Sequence, residues 1–234
     1  MIGFIRYQCT RYIRSLKFIP PITIFFIWSI TFYTYKGVPT LSSYGVSSVV
    51  IYLTMTWIGM SVFTLEEENE KQLLFTQLGS KFRFLFGKWS LCLLIAILLL
   101  VFAILYPIII GSFKTAITPL HIGLSIFIHF LFSILGLVVG SFFSITTFGR
   151  KKYSWLAAML INILSIVSEG MIAKIAWLKW IFFILPPVGK MMNYFSNEDF
   201  FNVEIGLRLL LLWGIIYTVI AFTVVTKMFI KAER

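Results

Sequence analysis

Charge is scarce in this chain: only 12% of its 234 residues are Asp, Glu, Lys or Arg, against 59% hydrophobic residues and a mean hydropathy of +0.95. A soluble domain of this length cannot hide that much apolar surface, whereas a bilayer accepts it. Acids are rarer than bases, and Asp199 is the only aspartate, which excludes a paired-aspartate intramembrane protease. No HExxH and no cysteine pair at zinc spacing occurs, so no metal site is expected. Cys9 and Cys92 fall in an amphipathic stretch and an apolar run, which implies no disulfide framework. His121 and His129 have no carboxylate or thiol close by in sequence; a hydrogen bond from His129 to a neighbouring helix is the favoured reading over a functional one. The G-x-x-x-x-G-K-[ST] loop is absent, and Trp89 stands after Gly87-Lys88 where that motif needs a hydroxyl. No cleavable leader pattern is seen, because the first apolar run starts late and no small-residue cleavage site follows it. The apolar runs also lack the acid and base pairs of an ion-coupled carrier; their polar residues are mild, such as Ser29, Thr56 and Ser133. The chain is therefore expected to be no enzyme, with no catalytic residue and no cofactor of its own.

What is present centres on one charged stretch, TLEEENEKQLLFTQLGSKFRFLFGKW, residues 64–89. Thr64 and Glu67 have capping-box spacing, which predicts a helix start there. Glu66, Glu67, Glu68 and Glu70 then fall where the helix dipole favours negative charge, and Gly79 is a natural stop. The stretch reads as a short capped helix held on the water side of a membrane.

Residues 2–18 read as a basic amphipathic helix lying in the interface, with Ile2, Ile5, Cys9, Tyr12, Ile13 and Leu16 on one face. Arg6, Arg11, Arg14 and Lys17 supply its basic anchor. Pro20 and Pro21 end it and open the next helix. Six spans of about 20 residues are expected: Pro21–Tyr35, Val46–Phe63, Ser90–Ile110 (with Pro107 near its end), Leu120–Thr146, Tyr153–Val167 and Ile205–Met228. The fold class is thus an all-α membrane protein of one domain, residues 1–234.

Lys and Arg fix the orientation. Fourteen flank one set of span ends, among them Lys71, Lys81, Arg83, Lys88, Arg150, Lys227 and Lys231; six flank the other. The richer side belongs in the cytoplasm, which puts both termini and the 64–89 loop inside. A net charge of +11 would suggest nucleic acid in a soluble chain, but here the bases cluster beside apolar runs and suit anionic lipid instead. Residues 168–204 contain IAWLKWIFFILPPVGKMM, too apolar for a solvated loop and too interrupted to span. A re-entrant helical hairpin on the outer side, turning at Pro186 and Pro187, is expected. Gly136, Gly140 and Ser144 repeat small residues every four positions, which allows close helix contact within the chain or across a dimer. Aromatics abound on the first span, and the bland reading is interfacial belts and lipid contact.

Together, six spans, an interfacial first helix, a charged first inner loop and a proline-bearing outer hairpin resemble the ABC-2 type permeases, the membrane subunits of type V ABC exporters. The local likeness lies in EKQLLFTQLGSKFRFLFGKW, residues 70–89, with its Glu-rich start, Leu73-Leu74, the Gly79-Ser80 turn and Gly87-Lys88, and in ILPPVGKMM, residues 184–192. The resemblance implies that residues 66–78 form a coupling helix seated in a cytoplasmic ABC ATPase subunit, with Glu66, Glu67, Glu68, Glu70, Lys71, Leu73, Leu74, Gln77 and Lys88 as the coupling set. ATP and Mg would be bound by that partner. A second permease copy would complete the unit as a homodimer in the bacterial plasma membrane. Substrate would pass between spans one, two and five of the two halves, beside Phe25, Trp28, Phe32, Thr54, Trp57, Asn162 and Ser165. Within the family, the chain is most like Gram-positive exporters of amphipathic peptides, of the phenol-soluble modulin or bacteriocin-immunity kind. A lipid-linked glycan or a small drug is the alternative cargo, and a non-transporting membrane scaffold or sensor the alternative class.

Overall fold

Apolar runs broken only by proline, glycine and charge leave the backbone one way to satisfy its own polar groups in lipid, which is the helix. The computed structural model describes residues 1–145, 153–196 and 205–233, and among these ten helices follow one another with one isolated bridge, Val38 to Phe113. They are α1 (Ile2–Arg14), α2 (Ile19–Tyr33), α3 (Thr40–Phe63), α4 (Glu68–Leu78), α5 (Lys81–Ile110), α6 (Pro119–Ile145), α7 (Ser154–Lys174), α8 (Leu178–Phe182), α9 (Val188–Ser196) and α10 (Ile205–Ala232).

Five of them, α3, α5, α6, α7 and α10, are long and apolar enough to cross a membrane. The sequence predicts six. The shortfall is α2, whose 15 residues reach about 22 Å at 1.5 Å per residue. It counts as a sixth span only together with α1, across a 76° bend. Several bounds also move. α3 starts at Thr40, directly after Pro39, and α5 starts at Lys81, so Lys88 rides on a spanning helix rather than in the loop before it. α7 runs on past Val167 to Lys174.

α3 is the hub, more thoroughly buried than any other long helix, and its main partner is α6. The contact is close because Gly136 and Gly140 face the carbonyl oxygens of Tyr52 and Thr56, where a Cβ has no room. Gly59 meets Gly140 from the other side. The small-residue repeat therefore serves a contact within the chain. At one end of the bundle, the α2–α3 and α5–α6 connections pair through Gly37 N–H to Ser112 O (2.8 Å) and Lys114 N–H to Val38 O (3.0 Å).

After α7 the chain makes α8, turns at the buried Pro186, and sends α9 back onto the bundle. Val188, Met191 and Phe195 are fully buried, and α9 packs on α3 and α7. Gly189 sits against the carbonyls of Ser165 and Ile166, and Gly45 makes room for Phe195. Within this apolar segment α9 thus folds onto its neighbours, while α8 stays exposed. Its last part (197–204), the basic run Arg150, Lys151 and Lys152, and Thr146 lie outside the described residues.

Candidate functional site

The connection between α3 and α5 carries four of the nine acids, and its structure departs from the capping-box expectation. Thr64 ends α3 instead of starting α4: its hydroxyl donates back to Met60 O (2.9 Å) and Ser61 O (3.2 Å). A hydroxyl spent on the preceding turn cannot cap the next helix. Glu67 stands at the N-cap of α4 in extended backbone, with no side-chain cap, and Glu68 and Glu70 occupy the first turn. Gly79 does end the helix, in left-handed backbone at φ 66°, a conformation glycine adopts without strain.

Three other parts of the chain hold this elbow. From α1, Tyr7 donates to Glu70 Oε1 (2.7 Å), Gln8 donates to Glu66 Oε1 (2.7 Å), and Arg11 pairs with Glu70 and donates to Leu65 O (2.9 Å). Lys17, just beyond α1, donates to Thr64 O (3.3 Å). From α10, Glu233 pairs with Lys71, and its carbonyl accepts from Lys81 Nζ (2.7 Å). From α5, Lys88 pairs with Glu66 and donates to Val62 O (2.6 Å).

The Lys88–Glu66 pair is fully buried. Two charges out of water are tolerated only when they meet each other and their remaining hydrogen-bonding capacity is met. Val62 O and the rings of Phe84 (5.1 Å) and Phe63 (5.3 Å) surround the ammonium, and Gln8 serves the carboxylate. Of the coupling residues expected from the sequence, Glu66, Leu74 and Lys88 therefore point inward, and Glu70 and Lys71 are engaged within the chain. Glu67, Glu68, Leu73 and Gln77 are exposed, and with Asn69, Gln72 and Thr76 they form the outward face of α4.

α1 packs on the bundle through a narrow face of its own. Its buried residues are Phe4, Gln8 and Tyr12, while Ile2, Ile13 and Leu16 are exposed. The reason is local fit. The Phe4 ring occupies the space left by Gly87, Gln8 reaches Glu66, and the Tyr12 hydroxyl shares a hydrogen bond with Ser61 Oγ (2.9 Å). The aliphatic residues then remain on an outer flank. Arg6 and Arg14 are exposed, whereas Arg11 and Lys17 are tied to the elbow.

The residues expected along a substrate path do not meet in one chain. Phe25 is buried beside Phe102 of α5, and Trp28 stacks on Phe32 at 4.8 Å. Thr54 is buried on α3, where Trp57 is half-buried. Asn162 and Ser165 lie on α7, which packs on α6 and α9 and also reaches α3. Ser165 donates to Ile161 O (2.7 Å), but both amide atoms of the fully buried Asn162 lack a partner. A cavity of about 440 Å³ lies instead between α6, α7, α10 and the α8–α9 turn, walled by Val139, Phe142, Phe183, Pro186, Trp213 and Tyr217 among others. Its walls carry no charged residue. The sequence reading missed it because its residues come from four separate elements. His129 is satisfied as expected: one ring nitrogen lies 2.7 Å from Ser125 O, the other 2.8 Å from Ser47 Oγ on α3. Among the described residues, no cluster of three or more His, Cys, Asp or Glu could hold a metal.

Comparison with known proteins adds no family to this geometry: no family model, no curated protein and no solved structure matches the chain.

Proposed function

We propose that the chain is the permease subunit of an ATP-driven exporter of the ABC-2 type, carrying hydrophobic or amphipathic peptides out of the cytoplasm or the membrane. The carrying observation is α4. It is a short helix between two membrane-length helices, braced from behind by α1, α5 and α10, with a polar, acidic face left to solvent. A surface helix fixed on one side and free on the other is suited to receive a rigid push from a partner and pass it to the spans behind it. ATP and Mg belong to that partner, a cytoplasmic ATPase, because the Walker loop is missing from this sequence. A second copy of the chain would complete the transport path. The uncharged cavity beside α10 supports an apolar or amphipathic cargo over a glycan, which asks for polar stacking groups. The outer turn at Pro186 and the helix α9 would form the re-entrant hairpin of such a permease, with both chain ends in the cytoplasm.

The test is affinity purification with the neighbouring ATPase, followed by charge reversal on the outward face. In the double variant Glu67→Lys/Glu68→Lys, peptide export is expected to fall about tenfold or more, the effect of roughly 1.4 kcal/mol lost at the docking surface, with insertion unchanged.

A further inference from the structure

We propose that the groove between α5 and α10, at the end of the bundle that carries α4, binds an anionic phospholipid. This rests on the chain being a membrane protein with its α4 end on the cytoplasmic side, and not on the export reading. The groove encloses about 550 Å³ and is lined by Phe82, Phe86 and Trp89 of α5 and by Phe222, Thr226 and Lys227 of α10, among others. Phe82 and Phe86 stack at 6.3 Å with both rings exposed, and Trp89 meets Phe222 edge-on at 4.5 Å. These rings give an apolar slot of the kind an acyl chain fills.

Two polar features have no use inside the protein. The Trp89 ring is 7% exposed, yet its indole N–H is buried without a hydrogen-bond acceptor. A buried donor of this kind ordinarily has a partner. Lys227 is exposed and has no carboxylate within ion-pair distance among the described residues. Lys71 and Lys81 hold Glu233, and Lys88 holds Glu66, whereas Lys227 and, one turn further on, Lys231 are exposed. Of these two, Lys227 is the one that lines the groove.

Depth agrees with a lipid. Lys227 lies six residues before Glu233, about 9 Å further into the bundle at 1.5 Å per residue, and Trp89 lies deeper than Lys81 along α5. Lysine and tryptophan at that level mark the headgroup and ester zone, where a lysine reaches outward and an indole N–H meets carbonyl or phosphate oxygens. A zwitterionic headgroup would bring its own cation towards Lys227, whereas phosphatidylglycerol brings only negative charge. Basic pockets between spans on this side of a membrane are sites for anionic headgroups.

The experiment is reconstitution of the full chain in nanodiscs of phosphatidylcholine, with or without phosphatidylglycerol. Thermal unfolding is measured in each, and retained lipid is read by native mass spectrometry after extraction. The wild type should keep a phosphatidylglycerol and melt higher in its presence. Lys227→Gln should lower retention about fivefold, the loss expected of one interfacial cation, and should melt as the wild type does in phosphatidylcholine alone. Lys227→Arg and Lys231→Gln should retain the lipid, and Trp89→Phe, which keeps the ring but not the donor, should lose part of it. Equal retention of both lipids by the wild type, or equal retention of phosphatidylglycerol by wild type and Lys227→Gln, overturns the proposal. Stabilisation by inorganic phosphate in detergent matching that of the lipid also overturns it, since the rim alone would then be the site.

Discussion

Lys88 and Glu66 stand 22 positions apart and hold each other inside the protein. Neither charge is tolerable there alone, so the pair acts as a unit: breaking it by removing one member costs far more than replacing both by neutral groups of similar shape. Lys88→Met, which leaves the Glu66 carboxylate buried and opposed only by Gln8, is expected to destabilise the chain by about 3–5 kcal/mol. Adding Glu66→Gln should restore most of that loss. Unfolding in detergent, followed as a melting temperature for the wild type, single and double variants, checks it; equal melting of the two variants would show that the charges act independently. Residues of this sort were half legible. A lysine inside FLFGKWSLC has to find a partner or leave the helix face, and the acids of 66–70 were the only ones nearby in sequence. Which acid it takes depends on how α3 and α5 lean together, and no periodicity encodes that. His129 was easier, because a histidine in a span with hydroxyls on a neighbouring helix has one common fate.

At the scale of elements, long apolar runs gave their helices away, and the start of α3 after Pro39 and the stops at Gly79 and Gly111 follow from backbone chemistry alone. The misreading at Thr64 comes from a local rule, capping spacing, that a second local hydrogen bond overrode. Thr64 serves the last turn of α3, and α1 turns Phe4 and Gln8 inward because Gly87 and Glu66 are there to receive them. The glycine repeat of α6 was visible as a contact surface, while its partner was not. Since Gly136 and Gly140 touch backbone oxygens of α3, which cannot move aside as a side chain can, Gly136→Leu is expected to cost about 1–3 kcal/mol or more and to separate α3 from α6. A lower melting temperature than that of a matched leucine substitution at the lipid-exposed Gly170 is the expected reading; equal melting would place the tight contact elsewhere.

The whole molecule poses a counting question that the helices alone leave at five or six. Three ion pairs and a hydrogen bond from Lys81 Nζ to Glu233 O gather α1, α4, the first turns of α5 and the end of α10 at one end of the bundle. The connections after α2 and after α5 meet at another place, through Gly37, Val38, Ser112 and Lys114. Both α3 and α5 run between those two ends and are long enough to cross, so the ends lie on opposite faces. α2 begins next to Lys17, which touches Thr64 at the charged end, and finishes next to Gly37 at the other. A crossing by α2, its 15 residues extended at both ends by the flanking turns, is therefore the expected outcome. An even number of crossings is also what chain ends on one face require. The check is a cysteine placed at exposed Lys36 or at exposed Arg14, on either side of α2, in a chain with Cys9 and Cys92 changed to serine, probed with a membrane-impermeant thiol reagent before and after permeabilisation. Position 36 should react on intact cells and position 14 only after permeabilisation. Reaction of both from the same side would mean that α2 folds back without crossing.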